Sequence, residues 1–254
     1  MVAPPDSPPD NDVLWARSLH YSYNAAGPAL TGLSIGVRTG EVLAVTGPRG
    51  SGKTTLLRCL SGLLVPQQGE IRFNGTPLHT LRHAARERLR LERFGWIDPE
   101  PHLVPELRAW ENAALPLLLR GSSHRAARSA ATEWLERLDI GRVARRSPAA
   151  LSQAERQRVC VARALAATPA VLFADEPTAA LHRADHTHVL RTLASAARSH
   201  GITVLLATHD DEVARVADRS FALLDGRRHD SPSAGDTAPE GPTTEGRASC
   251  SLSV

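Results

Sequence analysis

Lysine is almost absent from this chain: among 30 Lys and Arg residues, Lys53 is the one lysine. A composition that avoids lysine so strongly, yet places one at position 53, implies that a compact ammonium is needed there rather than a planar guanidinium. Cysteine is scarce too. Cys59, Cys160 and Cys250 are scattered and form no C-x-x-C pair, which argues against a disulfide framework or zinc site and fits a reducing cytosol. No apolar run approaches the ~18 residues that span a bilayer, so work at a membrane requires another chain to do the crossing. The N-terminal residues are rich in Pro and Asp, with neither the basic start nor the apolar core of a signal peptide. No long repeat is visible, which predicts a single nucleotide-binding unit.

What is present suits one large α/β domain or a domain with an inserted lobe. The chain has 254 residues, 42% of them hydrophobic and 22% charged. A net charge of +3 is mild and the arginines are spread along the chain. It reads as a solvated surface, and no specific nucleic-acid partner is expected.

The stretch Gly47-Pro48-Arg49-Gly50-Ser51-Gly52-Lys53-Thr54 organises the rest. It fits G-x-x-x-x-G-K-[ST] between a short apolar run, Val42–Val45, and Thr55–Leu60, whose apolar spacing suits a helix. The glycines let several N–H groups face one phosphate chain, and the following helix adds the positive end of its dipole. Lys53 is expected on the β- and γ-phosphates, and Thr54 on Mg²⁺. The spacing predicts a nucleoside-triphosphate site.

Residues 1–11 read as a disordered leader, and 229–254 as a disordered tail poor in groups to bury. Leu33, Ile35 and Val37 alternate with polar or small residues, and Ile71 and Phe73 repeat the pattern before an Asn74-Gly75 turn. These predict a small antiparallel sheet beside the nucleotide. Tyr23 is the aromatic expected to stack on the base, with a half-buried core tyrosine as the competing reading. His79 to Glu92 is a basic helical stretch. Phe94–Ile97 returns to strand, and Asp98-Pro99-Glu100-Pro101 breaks it. The next sixty or so residues look mainly helical, with Gly141 as a terminator and Ser152 with Glu155 as a capping box opening a further helix.

Val171–Ala174 and Thr203–Ala207 are two more buried strands. Asp175 ends the first, placed to hold Mg²⁺. Glu176 follows and, pointing the other way, would orient the attacking water. His209 follows the second strand and would donate to the γ-phosphate.

Gly47–Thr54, Leu151-Ser152 with Glu155, Gln157, Arg158 and Val159, Asp175–Thr178 and Thr208–Asp210 occur in one order and spacing. In this the chain resembles an ABC-transporter ATP-binding subunit over about residues 13–228. Pro105–Leu107 and Glu111–Leu119 look most like the lipoprotein-release and macrolide-export branch. The resemblance implies a P-loop (RecA-like) α/β core with an antiparallel β subdomain and an inserted α-helical subdomain at about 100–165, all within a nucleotide-binding domain at 12–228. It implies ATP and Mg²⁺ as ligands, with Thr55 continuing the phosphate site. It implies two such subunits head to tail, identical or not, each site closed by the partner's Ser152, and separate transmembrane permease subunits that hold the chain at the inner face of the cell membrane. A soluble ABC protein outside transport and a non-hydrolysing ATP clamp are the competing functions.

The chain departs from the family in three places. Gln153-Ala154 replaces two signature glycines, adding Cβ atoms where a backbone must approach the γ-phosphate. Pro99 stands where a glutamine is expected, with Asp98 or Glu100 as substitutes if the register slips by one. His182 replaces an aspartate that links the subunits. Slow hydrolysis is expected.

Overall fold

The computed structural model describes residues 11–23 and 27–229. Apart from Asn11 and His229, the expected leader and tail lie outside the described residues. Among those described, no helix is long and apolar enough to cross a membrane.

Strands β1 (Asp12–Ser22), β2 (Pro28–Arg38), β4 (Gln68–Phe73) and β5 (Thr76–Pro77) form an antiparallel sheet in the order β2-β1-β4-β5. The Asn74-Gly75 pair closes the β4–β5 hairpin with both residues at positive φ (45° and 76°), as a tight turn between twisted strands requires. This is the small sheet expected from the alternation.

The second sheet carries β3 (Val42–Thr46), β6 (Phe94–Ile97), β7 (Val171–Asp175), β8 (Thr203–Thr208), β9 (Arg219–Leu224) and β10 (Arg227–Arg228), ordered β10-β9-β3-β8-β7-β6. All neighbours but the β9–β10 hairpin are parallel. β3, β7 and β8 are buried along nearly their whole length because both faces are covered, whereas Arg219, Ser220 and the two arginines of β10 are exposed at the sheet's end. Val171, Phe173, Leu205 and Ala207 face a core shared with the antiparallel sheet and helix α1 (Lys53–Leu60). Leu172, Ala174, Val204 and Leu206 face the opposite core, built on the helices. The register sets Thr46 beside Thr208, Asp175 beside Ala207 and Ile97 beside Ala174, so the polar strand ends share one edge.

A helical lobe is inserted between β6 and β7. It comprises α3 (Ala109–Leu119), α4 (His124–Arg137) and the start of α5 (Gln153–Ala166), with α3 packed on both others. Buried Asn112 on α3 ties down the loop leaving β6: its Oδ1 accepts from the Val104 amide at 2.8 Å, and its Nδ2 donates to Val104 O and Leu107 O at 3.1 and 3.0 Å. The remaining helices are α2 (His83–Arg93), α6 (Arg183–His200) and the single turn α7 (Asp211–Ala214).

Two expectations about helix ends change. The helix expected from His79 begins only at His83, after a separate 3-10 turn at Leu78–Thr80. Gly141 does not end α4. Asp139 does, at φ 57°, with its amide donating to Glu136 O at 3.0 Å and the Ile140 amide donating to Leu135 O at 2.9 Å. That is a Schellman closure with aspartate in the left-handed position, which Asp tolerates better than other side chains. Gly141 opens a 3-10 turn instead.

Candidate functional site

The loop between β3 and α1 is built on glycines that nothing else could replace. Gly47 has φ 147°, and a Cβ there would lie 2.1 Å from Leu223 O. Gly52 has φ 102°, and its Cβ would lie 2.6 Å from Ala29 O. No side chain caps α1, so its first-turn amides keep their donors for a ligand. Lys53 is 6% exposed, and its Nζ donates to Gly47 O at 2.8 Å and Pro48 O at 3.0 Å, bridging the loop. Burial pushes its ammonium below the usual lysine range, while the carboxylates of Glu176 and Asp175 pull it back up. The Ser51 hydroxyl is buried beside this cradle with no hydrogen-bond partner among the described residues. A cradle with uncapped amides, an ammonium and a hydroxyl to donate suits a polyphosphate.

Thr54 Oγ1 donates to Asp175 Oδ2 at 2.8 Å. Asp175 is buried, and burial pushes its carboxyl up. Its second oxygen, Oδ1, has no partner among the described residues. A hydroxyl and a carboxylate with an unsatisfied buried oxygen are hard donors that fit Mg²⁺, which takes one or two carboxylates and draws its other ligands from phosphates and water. Among the described residues no cluster of three or more His, Cys, Asp or Glu could hold a metal, and a Mg·nucleotide needs none.

Glu176 and Asp175 part company through the backbone. Glu176 sits at φ 46°, its amide donating to Ala207 O at 2.9 Å. Strand alternation alone had been expected to separate the two carboxylates; a left-handed residue does so. The Glu176 Oε1 lies 2.7 Å from His209 Nδ1. With Nδ1–H donated to Glu176, the histidine's Nε2 carries a proton only as imidazolium.

These groups share one cavity of about 480 Å³, lined by Arg49, Gly50, Gly52, Lys53, Thr54, Thr55, Asp175, Glu176 and His209, with Tyr23, Ala29, Pro99 and Ala179 at its walls. Tyr23 is 40% exposed, and its hydroxyl accepts from Thr55 Oγ1 at 3.4 Å, leaving the ring edge-on to Tyr21. Gly47 and Pro48 do not line it; they line a neighbouring pocket beside His209, and their carbonyls accept from Lys53. Ser152 does not line it. It caps α5 on the surface, its Oγ accepting from the Glu155 amide at 3.2 Å and its own amide donating to Glu155 Oε2 at 3.0 Å. Gln153 is exposed beside it, and so is His182 at the N-terminus of α6.

Pro99 therefore occupies the cavity wall without a side-chain donor or acceptor. The two substitutes considered for it fail. The Asp98 carboxylate is held by the Trp96 indole, Nε1 to Oδ1 2.7 Å, and lines a different groove; Glu100 is exposed and lines neither. That second groove, about 610 Å³, has an apolar floor of Leu63, Leu64, Phe94, Trp96 and Phe173, with Arg58, Arg90 and Asp98 around it.

The sequence pattern alone assigns Gln157 no role of its own. It is wholly buried on α5, and its Nε2 donates to Asp98 O at 2.9 Å and Pro177 O at 3.2 Å. A glutamine on the stripe shared with Val161 and Ala164 was the available signal, since an amide among buried apolar residues must find partners.

A parallel sheet with a glycine cradle, an ammonium and a hydroxyl–carboxylate pair at its strand ends defines a P-loop nucleoside-triphosphate-binding protein. A sequence profile of the ABC transporter family matches residues 30–179. The chain is 42% identical over 217 residues (84% of this chain, 95% of the relative) to the lipoprotein-releasing system ATP-binding protein LolD 2 of Caulobacter vibrioides. It is 42% identical over 198 residues (78% and 87%) to the ABC transporter ATP-binding protein YbbA of Escherichia coli K12. The dimeric, ADP- and Pi-bound structure of the ATP-binding cassette MJ0796 superposes with a TM-score of 0.80 at 32% identity, covering 85% of this chain and 96% of that one. The cbiO1 structure from Clostridium perfringens, part of the ABC transporter complex cbiONQ, gives 0.77 at 27% identity, covering 87% and 88%. This chain belongs to the ABC transporter family as an ATP-binding subunit, with the cassette fold of a P-loop ATPase.

Proposed function

We propose that this subunit binds Mg·ATP at the cavity around Lys53, powers a membrane transport complex, and hydrolyses slowly on its own. The observation that carries the reading is Pro99, which stands in the wall of the cavity that holds Lys53, Thr54, Asp175 and Glu176. Loop amides and Lys53 would grip the phosphates, and Tyr23 would stack on the base. Thr54 and Asp175 would hold Mg²⁺, which supplies positive charge at the phosphate oxygens. Glu176 would take the proton of the attacking water at its free carboxylate oxygen, and His209 would face the γ-phosphate. A polar side chain at position 99 would help fix that water; proline leaves it to Glu176 alone.

Ser152 lies away from its own chain's cavity, which supports a head-to-tail pair in which each cavity is closed by the other subunit's α5. Gln153 and Ala154 make this chain the poorer donor of that surface, so pairing with a different ATP-binding subunit would leave one faster site. A separate permease would hold the pair at the inner face of the membrane, over the apolar groove at Leu63 and Trp96.

Rapid-quench hydrolysis at excess enzyme tests the reading. The expected result is a single turnover that is lost in Glu176→Gln, a low steady-state rate, and a rise of about tenfold or more in Pro99→Gln, a smaller gain than the ~10²–10⁴ of a full general base because Glu176 is already present. A wild-type chain that binds ATP without any turnover would leave the non-hydrolysing clamp as the function.

A further inference from the structure

Two cavities lie on either side of the chain that leaves β6, and one buried side chain ties a wall residue of the first, Asp98, to Pro177, the neighbour of Glu176 in the wall of the second. The Trp96 indole lines the apolar groove and donates to Asp98 Oδ1 at 2.7 Å. Asp98 passes the connection on through its backbone, its carbonyl accepting from Gln157 Nε2 at 2.9 Å. The same nitrogen donates to Pro177 O at 3.2 Å, one residue beyond Glu176. Glu176 in turn meets His209 at 2.7 Å within the ATP cavity.

The arrangement leaves little slack. Both partners of Gln157 are carbonyl oxygens, so its amide nitrogen must face them; a flipped amide would oppose oxygen to oxygen. Pro99 restricts Asp98 to extended backbone, which fixes the direction of the carbonyl that Gln157 reads. Proline also leaves position 99 without a side chain that can report on the cavity. Gln157 is wholly buried, and its Oε1 has no partner among the described residues, so its two donated bonds are what hold the amide in place.

We propose that Gln157 is the positioning residue through which the groove at Trp96 and the ATP cavity sense each other, taking over a link that Pro99 cannot make. A shift of the Asp98 backbone, driven from the groove, moves the Gln157 amide and with it the Pro177 carbonyl and the adjoining Glu176. The reverse path carries the filling of the ATP cavity to Trp96. This rests on the ATP-binding reading above.

The test uses the full chain labelled with 5-fluorotryptophan, whose four tryptophans give four ¹⁹F resonances, with Trp96 assigned by Trp96→Phe. Titration with Mg²⁺ and a non-hydrolysable ATP analogue should move the Trp96 resonance in the wild type. In Gln157→Met, of similar length but without donors, the shift should fall to less than half while the analogue's dissociation constant stays within about threefold. For ATP hydrolysis, kcat should drop about tenfold or more with KM little changed. Gln157→Glu is the second variant, matched in shape but opposing an oxygen to two carbonyls. It should behave likewise if the methionine variant does not fold. Full Trp96 response and full kcat in either folded variant would overturn the proposal. A wild-type chain that binds no analogue would overturn the ATP reading itself, and this link with it.

Discussion

Burial pushes Lys53 and Asp175 in opposite directions, the ammonium toward losing its proton and the carboxyl toward keeping one. Both displacements penalise charge that a Mg·nucleotide would satisfy. For Asp175 the folded chain holds its proton more tightly than the unfolded chain. Stability therefore falls as pH rises from the ordinary value of 3.8 through the raised one. A bound cation removes that penalty. The gain in melting temperature from Mg²⁺ with a non-hydrolysable ATP analogue should grow as pH rises above the ordinary carboxyl value, and Asp175→Asn should flatten that rise, as differential scanning fluorimetry would show. Lys53→Ala should weaken the analogue's binding by about tenfold or more, since a hydrogen bond to a charged group contributes roughly 1.5–3 kcal/mol; equilibrium titration reads this directly. The residues of the phosphate loop were legible because their spacing is rigid: a φ of 147° at Gly47 with a carbonyl 2.1 Å from its would-be Cβ admits only glycine. The failure of Asp98 to stand in for the missing amide was not legible. It depends on a tryptophan two residues earlier turning its indole toward the carboxylate.

Among the elements, helix starts written in side chains were easier to read than helix ends written in backbone. Ser152 and Glu155 form the expected reciprocal cap, and the donated Ser152 amide holds the Glu155 carboxyl below its usual range. A lowered carboxyl stabilises above its unfolded value of 4.5 and loses that contribution as pH falls through the folded one. Ser152→Ala should cost about 1 kcal/mol in urea unfolding at neutral pH. The end of α4 was misread because Gly141 is the more permissive residue, yet Asp139 takes the left-handed turn. Asp139→Gly should then raise stability, by up to about 1 kcal/mol, less whatever the Asp139–His188 contact at 3.3 Å contributes. A fall in the urea midpoint would mean that this contact outweighs backbone strain.

Across the whole molecule, the alternation of strand residues between two cores is what brings the polar strand ends to one edge. Continuous apolar runs at β3, β7 and β8 predicted buried parallel strands, but no run says which neighbour it pairs with. The order β3-β8-β7 that sets Asp175 beside Ala207 is a property of the assembled sheet. Phe173 is fully buried, with its ring 5.3 Å from Phe94 and 5.8 Å from Trp96. Phe173→Ala should cost about 3–5 kcal/mol and lower the urea midpoint accordingly. At the scale of the pair, Glu176→Gln with ATP should elute partly as a dimer. Gln153→Gly with Ala154→Gly should increase the dimer fraction in light scattering, because two Cβ atoms leave the closing surface.

The solitary amine in the phosphate cradle has a practical corollary. Reagents that acylate primary amines have only Lys53 and the chain's α-amino end to attack, so the extent of labelling at position 53 reports how often the cradle is empty. In a complex with a second, lysine-rich cassette, mass spectrometry of that one peptide would follow the occupancy of this chain alone through a transport cycle, with no engineered probe.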